Sequence, residues 1–109
     1  QKRDLRDGVA LGVSAAGLGL SVASLMMTLS PKEQADLHSL SQLIYDHLRF
    51  MDPKGLKSDF GRTEDKAVEA IGRQLLDKQG AETLAKRITA TGGKGSRTLA
   101  KRIREFSQS

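Results

Sequence analysis

Apolar residues recur along most of this chain at helical spacing. Leu37, Leu40, Ile44, Leu48 and Met51 fall three or four apart, with Leu43 beside them, so they share one side of a helix with 3.6 residues per turn. Ser30-Pro31-Lys32-Glu33 stands at the head of this run. Ser30 is suited to cap, Pro31 to occupy the first helical position and Glu33 to complete a capping box. The pattern predicts a helix over 31–50, stopped by Pro53, which biases the residue before it away from helix. Val68, Ile71 and Leu75, with Leu76 alongside, predict a second helix over 64–79. Thr63 would cap it, Glu64 and Asp65 would sit in its first turn, and Gly80 would end it. The intervening stretch 52–62, DPKGLKSDFGR, holds a proline and two glycines. It reads as a loop and as the best place for a mobile connection.

The end of the chain carries an internal repeat. Thr83-Leu84-Ala85-Lys86-Arg87-Ile88 returns letter for letter as residues 98–103, fifteen positions on. Thr91-Gly92-Gly93-Lys94-Gly95 lies between the copies and reads as a turn, with Ser96 as the cap after it. Two short helices, about 81–90 and 97–107, are expected. Leu84 and Ile88 would face the core from the first, and Leu99, Ile103 and Phe106 from the second. Arg97, Lys101 and Arg104 would then line the side opposite the apolar one. Two six-residue copies are too short to make a solenoid.

Toward the beginning, Val9 to Leu29 runs for twenty-one residues without a charge, after a charged stretch at 2–7. Eleven of the twenty-one are Gly, Ala, Ser or Thr, and Gly12, Ala16, Gly19 and Ala23 share a helical stripe. A stripe of small residues lets a second backbone come close, in a membrane or in a tight bundle. Several readings follow for an apolar helix over 8–29. It is the central helix of a soluble bundle, a homodimer interface formed by residues 9–29, or a membrane span of sufficient length. A secretory signal with Ser21 and Ala23 near its cleavage point fits the same residues. So does a strand, because Val9, Leu11 and Val13 alternate with period two. A chain opening on Gln1 reads as processed or as part of something longer.

With 109 residues, a single domain over 1–109 is expected. There is no cysteine, which excludes disulfides, thiolate metal sites and cysteine nucleophiles and suits a reducing compartment such as the cytoplasm. Aromatic residues are limited to Tyr45, Phe50, Phe60 and Phe106. The core must therefore be aliphatic, and the expected fold class is all-α, a small orthogonal or bundle-like arrangement of about five helices. Few aromatics also leave little to stack on single-stranded bases. The net charge of +5 is placed unevenly. Residues 1–80 hold eleven cations and eleven acids, whereas residues 81–109 hold seven Lys/Arg against Glu82 and Glu105. The imbalance points to an acidic partner for the C-terminal end.

Little suggests catalysis, and no enzyme activity and no cofactor are expected. His38 and His47 are nine apart, which is not the spacing of helical metal pairs. Gly92-Gly93-Lys94-Gly95-Ser96 lacks a second glycine at the right distance and the preceding strand of a phosphate loop, so it reads as a turn. Glu64 and Asp65 have cap and dipole roles to fill, and Asp59 joins them in no nucleophile–base–orienter set.

Two helices joined by a turn, the second opening Ser96-Arg97-Thr98 and carrying a basic stripe, suit a helix-turn-helix contact with DNA. The stretch from Gly95 through Thr98-Leu99, Lys101-Arg102 and Ile103 to Phe106 resembles the recognition half of Fis-type DNA-binding domains. The likeness covers about a dozen residues; the connection from Ala90 to Gly95 is longer and richer in glycine than in that family. The helix-turn-helix arrangement makes duplex DNA the expected partner, with Arg97 and Lys101 at bases or phosphates, Lys86, Arg87 and Lys94 at phosphates, and Arg104 binding from the same basic stripe. The alternative is a protein–protein or membrane-interaction module, such as a fragment of a secreted effector or assembly protein. That module would act through Gly12, Ala16, Gly19 and Ala23, with the basic end meeting an acidic protein or an anionic membrane.

Overall fold

The computed structural model describes residues 29–108. The expectations for 8–29, including the stripe of Gly12, Ala16, Gly19 and Ala23, fall outside the described residues, Leu29 apart. Helices are the only regular secondary structure among the described residues. Five α-helices follow one another: α1 (Pro31–Met51), α2 (Pro53–Phe60), α3 (Glu64–Leu75), α4 (Lys78–Thr91) and α5 (Ser96–Gln108).

Helix α1 begins where the sequence places it. The Glu33 N–H donates to Ser30 Oγ at 3.2 Å, and the Ser30 N–H donates to Glu33 Oε1 at 3.1 Å. This reciprocal pair satisfies two of the donors that a helix start leaves free. Leu37, Leu40, Ile44 and Leu48 are buried as expected, whereas Leu43 and Met51 lie at the surface. Within the described residues the central place is taken by α1, which packs on each of the other four helices.

The stretch 52–62 is not a loop. Residues Pro53–Phe60 form α2, with Leu56 and Phe60 buried. Proline at a first helical position lacks only an N–H that would have been idle. Asp52 does double duty at the junction. Its N–H donates to the Leu48 carbonyl at 2.7 Å, closing α1, and its own carbonyl accepts from the Leu56 N–H at 3.0 Å, opening α2. Its carboxylate also accepts from the Gly55 N–H at 3.2 Å.

Nor does Gly80 terminate α3. That helix ends at Leu75, and Asp77 caps α4 by accepting the Gly80 N–H at 3.2 Å. Gly80 lies in the first turn of α4, where the Gln74 carbonyl oxygen would stand 2.5 Å from any Cβ. The glycine admits a close backbone approach rather than a stop. Ser96 likewise is no cap. It is the first residue of α5 and is buried, and the carbonyl that opens the helix is Gly95's, accepting from Leu99 at 2.9 Å.

The core joins Leu29 and the α1 stripe to Leu56 and Phe60 of α2, Ala67, Ile71 and Leu75 of α3, and the inward faces of α4 and α5. The two copies of the repeat have the same inside and outside. Leu84, Ala85 and Ile88 are buried in the first, and Leu99, Ala100 and Ile103 in the second. Helices α4 and α5 make the most extensive pairing in the molecule, so a single six-residue pattern supplies both halves of one interface. The turn between them relies on Gly92, Gly93 and Gly95, with φ of 67°, 92° and 80°. Only glycine enters that region without steric penalty.

Candidate nucleic-acid interface

The cations singled out in the sequence divide into three groups. Arg97 and Lys101 lie one turn apart on the exposed side of α5. With Thr89, Ala100, Arg104, Glu105 and Gln108 they line a shallow open groove of about 430 Å³. Neither has an ion-pair partner among the described residues. Lys94 is exposed in the glycine turn just before them, and Lys86 and Arg102 are exposed on α4 and α5.

Arg104 belongs to the same stripe but is engaged within the hairpin. Its Nε donates to Glu82 Oε1 at 3.0 Å and its Nη2 to Glu82 Oε2 at 2.9 Å. This two-pronged geometry is the strong form of an arginine–carboxylate contact. The Arg104 hydrogen bond holds the Glu82 carboxyl below its ordinary pKa, and the same bond raises that of Arg104. Glu82 and Arg104 sit well back from the glycine turn on their respective helices. Their contact therefore keeps α4 and α5 side by side along an antiparallel hairpin.

Arg87 turns away from the groove altogether. Its Nη1 pairs with Asp59 Oδ2 at 2.8 Å and its Nη2 with Asp52 Oδ2 at 3.4 Å. Its guanidinium stands 5.1 Å from the centre of the Phe60 ring, a cation–π distance. Arg87 thus clamps α2 against α4. Arg102, at the matching position of the second repeat copy, is exposed. Identical hexapeptides give these two arginines different neighbours because Asp52 and Asp59 meet Arg87 alone.

The histidines form no catalytic or metal-binding cluster. The Thr91 hydroxyl donates to the Ile88 carbonyl at 2.7 Å. Its oxygen must then accept from His47 Nε2–H, 2.8 Å away, which fixes the tautomer of a neutral ring. Partial burial lowers the His47 pKa. Among the described residues no group of three or more His, Cys, Asp or Glu is arranged to hold a metal ion. No helix among them is long and apolar enough to cross a membrane.

The surface that emerges is cationic and borne mainly by one helix. What such a face does well is meet a regularly spaced anionic surface, since each exposed cation can approach a phosphate without giving up an internal partner. No family model, curated protein or solved structure matches this chain at a significant level.

Proposed function

We propose that this chain is a non-enzymatic helical binding module that contacts duplex DNA through its C-terminal hairpin. The observation that carries the reading is the placement of Arg97 and Lys101 on one exposed side of α5 with no ion-pair partner among the described residues, with Lys86, Lys94 and Arg102 also exposed on the hairpin. Of the two acids of the region, Glu82 is taken by Arg104, which leaves Glu105 alone against Arg97 and Lys101 in the groove. Helix α5 would lie along the duplex with Arg97 and Lys101 at phosphates or base edges and the glycine turn bringing Lys94 to the backbone. The Fis-type resemblance of residues 95–106 agrees with α5 as the contacting helix.

Salt dependence tests this directly. Five cations at phosphates predict a slope of roughly −4 to −5 for log affinity against log salt on generic duplex DNA. Charge reversal by Arg97→Glu with Lys101→Glu should weaken binding and flatten the slope by about two units, while the helical circular-dichroism signal stays unchanged. Absence of binding to duplex DNA at low salt ends the proposal.

A further inference from the structure

Helix α2 separates its charges by side. Leu56 and Phe60 face the core. Asp52, which caps the helix, and Asp59, about two turns further on, turn to Arg87. Lys54 and Lys57 occupy the side opposite the core and are exposed. With Ser58 and with Arg62, just past the end of the helix, they line one common open pocket. None of these three cations has an ion-pair partner among the described residues. The two acids of α2, which would otherwise neutralise its lysines, are both committed to the Arg87 clamp. The result is a concave site with three positive charges and one hydroxyl.

We propose that Lys54, Lys57, Ser58 and Arg62 form a second anion site, separate from the hairpin face, that takes a phosphate-bearing ligand. Two ammonium groups and a guanidinium supply charge-assisted hydrogen bonds to phosphate oxygens, and Ser58 supplies a neutral donor. The site is carried by α2, which packs on α1 and α3, whereas the hairpin face is carried by α5, which packs on α4 and α1. The two can therefore be tested independently. A phosphorylated small molecule and the headgroup of an anionic lipid present the same chemistry to such a pocket.

The test measures binding of the full chain to inositol hexakisphosphate by calorimetry and to phosphatidylserine-containing vesicles by co-sedimentation. We expect saturable binding to at least one. It should fall at least about tenfold in Lys54→Glu with Lys57→Glu, which removes two charge-assisted contacts. It should persist in Lys54→Arg with Lys57→Arg, and in Arg97→Glu with Lys101→Glu. A response to hexakisphosphate assigns a soluble phosphate ligand, and a response to vesicles alone assigns a lipid headgroup. Circular dichroism of each variant confirms that the fold is retained. Lack of saturable binding to both probes, or an equal loss from the α2 and the α5 charge reversals, overturns the proposal.

Discussion

Arg104 and Glu82 meet across the hairpin through two parallel hydrogen bonds, at 3.0 and 2.9 Å, and this contact withholds one arginine from the exposed stripe. Glu82→Gln should release it. On the proposed DNA-contacting face, the released charge should tighten binding to duplex DNA and steepen the salt slope by about one unit. A slope equal to that of the parent chain would show that Arg104 does not reach the duplex.

The same pair gives the fold an acid dependence of known sign. The Glu82 carboxyl is held below its ordinary pKa by the Arg104 hydrogen bond. Its contribution is therefore present above the ordinary carboxylate range and is lost as pH falls through the lowered value. Urea unfolding should show the parent chain more stable than Glu82→Gln at pH 7. The difference should shrink toward zero once the solution is acid enough to protonate Glu82. A gap that persists at low pH would assign the difference to packing rather than charge.

Arg87 holds α2 in place, so Arg87→Met should loosen it. Two partly exposed ion pairs and one ring contact go together, and the expected loss is about 1–2 kcal/mol. Methionine keeps much of the aliphatic stem, which confines the loss to the guanidinium. Denaturant titration gives the size. Proteolysis within 52–62 gives the location, and protection there as in the parent chain would contradict the clamp.

The glycine turn should respond unequally to substitution. Gly92 and Gly93 both have positive φ, but a Cβ on Gly92 meets nothing within 4 Å, whereas one on Gly93 would stand 2.9 Å from Met51 Cε. At φ 67° and ψ −159° Gly92 lies in a region essentially restricted to glycine, so Gly92→Ala should cost about 1–3 kcal/mol from backbone strain alone. Gly93→Ala should cost about 1–3 kcal/mol from backbone strain, with displacement of Met51 besides. Thermal melts of the two variants side by side settle the comparison; equal melting temperatures would contradict it.

Ser41 is buried and its hydroxyl has no hydrogen-bond partner among the described residues. An unpaired buried donor is a net cost, and serine is a poorer helix former than alanine. Ser41→Ala should raise stability by about 1 kcal/mol, read as a higher urea midpoint with unchanged slope.

Much of this architecture is legible in the sequence where its cause is local. The Ser30–Glu33 box, the Leu37-to-Leu48 stripe and the glycine turn each depend on residues a few positions apart. Helix α2 had local signals too: Asp52 and Pro53 make a cap and first turn, and Leu56 and Phe60 are four apart. They were outweighed by reading the proline and glycines as breakers. Gly80 and Arg87 are different. The need for glycine at 80 comes from the Gln74 carbonyl in a neighbouring helix, and the fate of Arg87 from acids on α2 more than a helix away in sequence. No inspection of Thr83–Ile88 alone distinguishes Arg87 from Arg102 in its twin.

Because Asp52 closes one helix and opens the next with no spacer between them, the phase of α2 is locked to that of α1. One inserted residue after Asp52 would spin everything beyond it by about 100°. Leu56 and Phe60 would be carried out of the core and charged residues carried toward it. Chain length at this junction is thus a constraint as severe as residue identity.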